Sequence, residues 1–480
     1  MTIARTALSA TLAFALVACG GGGGNSGSTA SFGGGGTGTG GQGTSGACST
    51  SAQISFADDV LNEWYLFPDL LDNTVNAATF TDVQSYLNAR VAPARAQSVD
   101  KGFTFATSIE EENALISSGS SAGFGIRLAY DTAANRVFLL ESFETAPGFA
   151  AGMDRGTELL AIGLNSSSLE TVSSLMAAGG PQAVIDALGP SDPGVTRVLR
   201  FATLEGDTIE ASVTKADFPI DPISDRYGTL ILDDGGKKVG YLNLRTFIVS
   251  DAANQLREAF GEFRAEGVTE LILDLRYNGG GLVSLADTMG DLMGAGRVGQ
   301  VWSETVLRQS KSAENSTEFF QNEVNALQPT KIAVIGTRST ASASELVTNS
   351  MIPYVGDGMA LVGANTSGKP VGQFGFDLAE CDLRIRAVTF QTLNADGNGD
   401  YFTGLASVMP NTCRATDDIF VAFGDPTEAS TAAALDFLGG RTCTAISGGT
   451  GRTTQSVRPE REALRPERPT AAQYEIPGLF

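Results

Sequence analysis

The sequence predicts a layered α/β fold that is preceded by a mostly β module and a short helical segment. Its 480 residues are too many for a single hydrophobic core, so two or three domains are expected. Hydrophobic residues make up 42% of the chain and charged residues 18%, which allows most of it to fold. From residue 219 onwards, short apolar runs alternate with helical patterns, as in layered α/β domains.

The α/β region is assigned to residues 219–445. Residues 271–275 form a continuous apolar run, which is typical of a strand buried on both faces. In the helical pattern that precedes this run, Leu256, Phe260 and Phe263 fall on one face. Strands are predicted at 239–244, 271–275, 331–335 and 360–363, and helices at 252–265, 284–293 and 342–351.

Two smaller regions precede the α/β region. Residues 48–117 are predicted to be a helical N-terminal domain, because Val60, Leu61 and Trp64 continue a helical repeat that begins at Phe56. The stretch 118–218 contains several short β-like runs and two helix-like pieces. We expect it to form a compact, mostly β module of about 100 residues, which is a common domain size.

The first residues have the pattern of an export signal. Arg5 supplies a positive charge, and residues 7–18 form an apolar run of signal-peptide length. The run leads into Cys19 in a setting that resembles the lipobox of bacterial lipoproteins; a plain secretory signal with an incidental cysteine is the alternative. We therefore expect a lipoprotein signal peptide at 1–18, lipidation of Cys19 and a Gly/Ser-rich tether at 19–47. Gly20 follows the cysteine, at the position where Asp would favour retention in the inner membrane. The expected location is therefore the periplasmic side of the outer membrane.

Composition excludes several kinds of chemistry. The chain contains no histidine, so it cannot form a Ser-His-Asp triad, a Cys-His dyad or a histidine-ligated metal site. An activated nucleophile must then depend on Lys, Asp, Glu or a terminal amine. A formal net charge of −22 argues against nucleic acid as a partner, and leaves the lipid anchor as the expected contact with a membrane. We expect no cofactor and no metal ion.

The cysteines that follow Cys19 predict disulfides. They are four in number, which suits an exported chain and allows three pairings. We prefer Cys48 with Cys443 and Cys381 with Cys413, because the first bridge would tie the N-terminal helices to the end of the α/β region. A metal site is the competing interpretation, but no Cys-x-x-Cys spacing supports it.

Three polar segments lie where predicted strands end. Ser342 lies in Ser-Thr-Ala-Ser-Ala-Ser-Glu (339–345), before a helix whose free N–H groups favour developing negative charge. Lys369 lies in Thr-Ser-Gly-Lys-Pro-Val-Gly-Gln (366–373), after the next strand. The third segment, Asp-Leu-Arg-Tyr-Asn-Gly-Gly-Gly (274–281), ends in glycines that let backbone N–H groups approach a carbonyl oxygen. Taken singly, such features are more commonly an N-cap, a surface lysine and a turn.

Together and in this order, the three segments resemble the motifs of the C-terminal processing, or tail-specific, serine protease family. The resemblance implies a serine endopeptidase with a Clp-protease/crotonase-like layered catalytic domain. By position, Ser342 would be the nucleophile, Lys369 the general base and Gln373 the residue that positions this lysine. Gly280 and Ala343 would supply the N–H groups of the oxyanion hole.

The residues around the predicted oxyanion loop match the family less closely. Asp274, Arg276 and Asn278 fit the family motif and would give structural support. Gly279 stands where proline is common, and Pro370 where glycine is commoner. Neither departure removes a group that the chemistry needs.

The β module resembles a PDZ domain. Gly123, Phe124, Gly125 and Ile126 match its carboxylate-binding loop, whose N–H groups would hold the C-terminus of a substrate while the peptide adds as a strand. The expected partners are therefore exported proteins or peptides with apolar C-termini. Two alternatives stay open: a catalytically silent peptide-binding scaffold, and an esterase or amidase that acts on small molecules.

The last segment, residues 446–480, is rich in Pro, Arg and Glu and is predicted to be a disordered tail. It finishes in Leu479 and Phe480, and an apolar final residue is what a PDZ loop prefers. We hypothesise that these two residues occupy the loop at 123–126, or that another copy trims the tail. An inert tail is the competing interpretation.

Overall fold

The structure, a computed structural model, describes residues 48–446 and 461–480. The predicted signal peptide, Cys19 and the tether lie outside these residues. In the described ranges, no helix combines the length and the apolar character needed to cross a membrane.

A helical segment starts the described chain. Its first helix begins after Ser49, whose hydroxyl accepts the N–H of Ala52 at 3.2 Å and so satisfies one of the free donors of the first turn. The segment contains α1 (Thr50–Trp64), α2 (Val83–Arg90), α3 (Ala92–Ala96), β1 (Phe105–Thr107) and α4 (Ile109–Ser118).

A mostly β module follows, as the sequence predicts. Five of its strands are successive antiparallel neighbours in one sheet, and a long helix, broken at Gly180 ahead of Pro181, packs against that sheet. The module contains β2 (Ser120–Gly123), β3 (Ile126–Asp131), β4 (Arg136–Ser142), α5 (Pro147–Ala150), β5 (Glu158–Gly163), β6 (Glu170–Thr171), α6 (Val172–Leu188), β7 (Thr196–Ala202), β8 (Thr208–Thr214) and β9 (Ala216–Pro219).

The α/β region carries a six-stranded, mainly parallel sheet with helices on both faces. Its elements are β10 (Thr229–Asp234), β11 (Lys237–Asn243), α7 (Ala252–Ala265), β12 (Glu270–Asp274), α8 (Val283–Leu292), β13 (Val301–Leu307), β14 (Ser316–Phe319), β15 (Lys331–Gly336), α9 (Ala343–Val355), β16 (Met359–Gly363), β17 (Val371–Leu378), β18 (Leu383–Leu393), β19 (Asn411–Arg414) and α10 (Ala429–Leu438).

The strand order of this sheet is β10-β11-β12-β15-β16-β19, and only the β10–β11 pair is antiparallel. Helices α7, α8 and α9 bury one face, and α10 packs on the other. The mixed α/β fold that the sequence predicts is therefore confirmed.

The parallel order brings three strand ends together. Asp274 at the end of β12 pairs with Ile335 on β15, and Gly336 pairs with Gly363 at the end of β16. The loops after β12, β15 and β16 consequently leave the sheet at the same edge, where ligands of parallel sheets commonly bind. These loops contain the three polar segments that the sequence singles out.

The helical N-terminal segment is not packed as a separate domain. Leu61, Tyr65 and Leu87 share one hydrophobic core with Ile385 and Ala387 of β18. That strand belongs to a second sheet of the α/β region, in the order β1-β18-β13-β14 with β17 beside β18. The segment thus packs against β18 and, through Val371, against β17, the strand that follows the lysine loop.

The two disulfides differ from the preferred pairing. Cys48 is bonded to Cys381 and Cys413 to Cys443, with Cα–Cα distances of 5.1 and 5.3 Å. The prediction was wrong because α1 packs on β17 and β18, which brings Cys48 to the turn between them. Cys413 lies instead on the six-stranded sheet, beside the chain that returns from α10, where the N–H of Arg414 donates to Thr444 O.

Residues 461–480 are folded, which contradicts the predicted disorder for this part of the tail. They form β20 (Glu462–Ala463) and α11 (Ala471–Glu475). Leu464, Ile476, Leu479 and Phe480 are buried, because these few apolar side chains fall where the β module offers an open strand edge and an apolar pocket.

Candidate active site

Ser342 lies on a tight turn between β15 and α9. Its φ of +54° and ψ of −117° are rare for a residue with a side chain, and such backbone strain is characteristic of functional sites. Ser342 directly precedes Ala343, the first residue of α9, so the serine lies at the positive end of the helix dipole.

Lys369 lies in the loop between β16 and β17, and only 9% of it is exposed. Its Nζ donates a 2.8 Å hydrogen bond to Gln373 Oε1, and it lies 5.2 Å from the centre of the Phe103 ring. The amide of Gln373 in turn donates to the carbonyl oxygen of Phe103. The lysine and glutamine that the sequence predicts are therefore in contact, and the N-terminal segment holds the glutamine.

Burial lowers the pKa of the Lys369 ammonium below its usual range, although the carboxylates of Glu475 and Asp100 act in the opposite direction. Removing the ammonium from water disfavours the charged form. Burial therefore shifts the balance toward the neutral amine, which is the form that can accept a proton.

The side chain of Glu345 joins the serine turn to the lysine loop. Its Oε2 accepts the backbone N–H groups of Ser342 at 3.1 Å and Lys369 at 2.7 Å. Its Oε1 accepts the hydroxyl of Thr366 at 2.5 Å and the N–H of Gly368 at 2.8 Å. Glu345 is fully buried; burial raises its pKa, and these four hydrogen bonds oppose that rise.

Glu345 is the residue that sequence reasoning missed. It is the last residue of the serine segment 339–345, but the sequence motifs give it no role of its own. The signal was present, because Ser342-x-x-Glu345 is the spacing of a capping box, in which the glutamate reaches back to the N–H of the N-cap residue. Its second set of bonds, to the lysine loop, depends on the pairing of β15 with β16 and leaves no local pattern.

The loop after β12 lies against the serine. A Cβ atom on Gly280, which has a φ of +110°, would fall 2.6 Å from Ser342 Cβ and 3.0 Å from the Ala343 nitrogen, so only glycine fits. The N–H of Gly280 donates to Asn278 Oδ1 at 2.9 Å. The structure thus brings both predicted oxyanion residues to the serine, with the N–H of Gly280 engaged by Asn278.

A buried network of ion pairs surrounds Arg276, at the start of this loop. Arg276 binds Asp274 at 2.8 Å and Glu428 at 2.9 Å, and it also contacts Asp417 at 3.0 Å. The hydroxyl of Tyr241 donates to Asp274 at 2.7 Å. Every charge in this group has a partner, which is the condition for tolerating buried ions.

The loop at 123–126 of the β module is occupied by the end of the chain. The N–H of Ile126 donates to a Phe480 oxygen at 3.1 Å, and the N–H of Phe480 donates to Ile126 O at 2.9 Å. A Cβ on Gly123 would lie 2.8 Å from the Phe480 carbonyl carbon, and Gly125 has a φ of +67°. The structure places Leu479 and Phe480 where the sequence hypothesis put them.

A search of solved structures finds the same fold in a Bacteroides fragilis protein assigned to the S41 proteases. The two chains superpose with a TM-score of 0.61 at 23% identity, over 80% of this chain and 96% of the other. This likeness shows that the fold is shared.

The sequence comparisons add the class of protein. Residues 238–406 match the sequence model of Peptidase family S41. The carboxyl-terminal-processing protease of Picosynechococcus sp. is 24% identical over 67% of this chain and 71% of its own length. The chloroplastic C-terminal processing peptidase of Tetradesmus obliquus is 26% identical over 57% of each chain. Together these matches support a serine-type protease.

Proposed function

We propose that this chain is a serine endopeptidase that uses Ser342 as nucleophile and Lys369 as general base. The observation that carries the proposal is the shared carboxylate of Glu345, which binds the backbone of both residues through one oxygen. The chain has no histidine, so a buried lysine whose backbone shares one carboxylate oxygen with that of a strained serine is the group we assign to activating that hydroxyl.

The reaction would proceed in two halves. Neutral Lys369 Nζ takes the hydroxyl proton while Ser342 Oγ bonds to the scissile carbonyl carbon. The ammonium then returns the proton to the leaving amine as the C–N bond breaks, which leaves an acyl ester on Ser342. A water molecule attacks this ester, Lys369 accepts its proton, and the proton passes to Ser342 Oγ as the acid leaves.

The oxyanion that forms in each half needs backbone donors. Ala343 supplies one from the first turn of α9, and Gly280 supplies the other once its N–H leaves Asn278 for the substrate oxygen. Asn278 also donates to Leu244 O at 2.9 Å, which anchors the side chain during this exchange.

We further propose that the β module acts as a PDZ domain. The N–H groups of Ile126 and Leu128 would receive the last residues of a substrate as an added strand, as they receive residues 478–480 here. The predicted export signal, together with the chloroplastic relative, supports a location outside the cytoplasm and exported proteins as substrates. The anchor on Cys19 and the outer-membrane location belong to this proposal.

The test combines activity with covalent labelling. Purified wild type, Ser342→Ala and Lys369→Ala are incubated with a protein that ends in an apolar residue, and the products are followed by mass spectrometry. A fluorophosphonate probe reports the reactive serine directly. Lys238→Ala serves as the matched lysine control, because Lys238 forms a surface pair with Glu266.

We expect cleavage and labelling in wild type and in Lys238→Ala, and neither in the two active-site variants. If no form cleaves or labels although peptide binding is retained, the chain is the silent scaffold. If small esters turn over at rates that do not depend on peptide length, the endopeptidase assignment fails.

A further inference from the structure

The end of the chain fills the peptide-binding edge of the β module. Residues 471–480, which we call the C-terminal segment, place their last three residues antiparallel to β3, with the N–H of Leu128 donating to Gly478 O at 2.8 Å. The bonds of Ile126 with Phe480 complete this short ladder. Addition of a strand to an open sheet edge is a standard mode of peptide recognition.

The side chains of the segment are seated as firmly as its backbone. Phe480 is 2% exposed and lies in the core shared by Phe124, Ile126 and Leu188. The amide of Gln473 donates to Leu479 O at 2.8 Å. Upstream, the ring of Tyr474 stacks on Phe105, with centroids 3.6 Å apart.

The other end of the segment covers the catalytic loops. The carbonyl oxygen of Glu475 would be 2.5 Å from a Cβ on Gly279, so the backbone of the segment lies directly on the predicted oxyanion loop. The carboxylate of Glu475 interacts electrostatically with Lys369 and stabilises its charged form. One short segment therefore occupies the peptide edge and also lies against the predicted oxyanion loop.

Its conformation distinguishes an inhibitor from a substrate. The residues that lead to the contact with Gly279 form α11, and the N–H of Ile476 donates to Ala472 O at 2.8 Å. A helical backbone hides its carbonyl groups in its own hydrogen bonds, whereas strand addition and cleavage require an extended chain. Pro477 follows, and its missing N–H removes a donor next to the predicted oxyanion loop.

We propose that residues 471–480 are a built-in competitor that closes the peptide site until a substrate displaces them. The proposal rests on the proposed function and deepens it, because the segment also indicates what the site selects: an extended backbone with a large apolar side chain in the pocket of Phe480. An intramolecular competitor acts at an effective concentration that can approach millimolar, so weakly matched chain ends would be excluded.

The test uses full-length chains with single substitutions that dislodge the segment. Gly478 has a φ of +85°, and an added Cβ would lie 2.7 Å from Leu128 O. Gly478→Ala should therefore push the segment off β3. Gly206→Ala is the matched control, since Gly206 has a φ of +93° with nothing within 4 Å, and carries the same backbone strain without the clash.

A second variant with its own control keeps the test valid if Gly478→Ala does not fold. Phe480→Asp places a charge in the apolar pocket, and Phe319→Asp makes the same change at a residue that is exposed on β14. Each variant is assayed for kcat/KM on a peptide with a Leu-Phe end. Each is also prepared with Ser342→Ala, and hydrogen exchange of the Ile126 and Leu128 amides is measured without any turnover.

We expect Gly478→Ala and Phe480→Asp to raise kcat/KM by about tenfold or more, since apparent affinity scales with the open fraction, and to speed exchange at both amides. A synthetic peptide of residues 471–480 should inhibit these variants competitively. Unchanged exchange together with unchanged kcat/KM overturns the inference. Faster exchange without cleavage by any form supports the docking and counts against the proposed function instead.

Discussion

Ser342 and Lys369 are held by the same atom, because Glu345 Oε2 accepts the backbone N–H of each. A third residue, which lies in the first turn of α9, thus ties the serine turn to the lysine loop, and in the proposed mechanism it has no direct part in the proton transfer. Glu345 is a positioning residue, and its removal should disturb geometry before it disturbs binding.

We predict that Glu345→Gln lowers kcat by about 100-fold with little change in KM, because an amide NH₂ would face N–H donors that need an acceptor, and a misplacement of about 1 Å can cost that much. Steady-state kinetics on a peptide substrate check the split between kcat and KM. Glu266→Gln, at a surface ion pair with Lys238, is the control. A near-normal kcat in Glu345→Gln would remove the positioning role.

The second prediction concerns pH. The lysine must be neutral to take the serine proton, and burial lowers its pKa from the usual range. Below that pKa the ammonium form is inactive, so kcat/KM should rise with pH and level off above it, within the neutral to alkaline range. The pH dependence of kcat/KM for wild type and Gly478→Ala gives the measurement. A flat profile from acid to alkaline pH contradicts a lysine base.

The third prediction concerns the disulfides. Peptide mapping without reductant should recover Cys48 linked to Cys381 and Cys413 linked to Cys443. The first bridge closes a separation of 333 residues and the second one of 30, so loss of the first should cost more, within about 2–5 kcal/mol of unfolding free energy. Urea unfolding of Cys48→Ser/Cys381→Ser and Cys413→Ser/Cys443→Ser ranks them; equal costs would speak against the loop-entropy argument.

The fourth prediction concerns the ion network under the oxyanion loop. Arg276→Ala should destabilise the fold by about 3–5 kcal/mol, because it leaves buried carboxylates without a partner. The exposed pair Arg200–Glu210 provides the control, and Arg200→Ala should cost less than about 1 kcal/mol. Denaturant unfolding at neutral pH measures both.

The same network should give the wild type a pH signature. Burial alone would raise the pKa of Glu428, but Arg276 lowers it to about 2. Its stabilisation is therefore fully present above the unfolded value of about 4.3 and is lost as the pH falls toward the folded value. The free energy of unfolding should fall steeply between these limits in wild type and less steeply in Arg276→Ala. Parallel curves would show that Glu428 does not depend on Arg276.

Local patterns in the sequence were sufficient to predict the strands and helices that carry the site, because their apolar residues recur at a regular spacing. The apolar run at 271–275 and the helix at 252–265 were placed within a residue of β12 and α7, because burial on one or both faces leaves a period in the sequence. The polar segments after β12, β15 and β16 were found for the same reason. They stand where a periodic stretch stops.

What escaped prediction depends on contacts between distant residues. The second pair of bonds of Glu345 needs β15 beside β16, and the bridge of Cys48 to Cys381 needs α1 on a hairpin that lies more than 300 residues away. The folded end of the chain was missed because composition suggested disorder, whereas four apolar side chains and an unpaired strand edge were enough to order it. None of these relations has a local signature.

The pairing of the outer edge of β3 with two parts of the C-terminal region has a consequence for the solubility of the protein. Its outer edge pairs with β20 at Tyr130 and with the chain end at Ile126 and Leu128, so nothing is left open there. When residues 478–480 are displaced or cleaved off, the β3 edge is left unpaired and its apolar pocket exposed. Unpaired edge strands of this kind promote aggregation between β proteins. Protein in which the C-terminal segment is displaced should therefore aggregate when it is concentrated, unless a peptide with an apolar end is added to pair with β3.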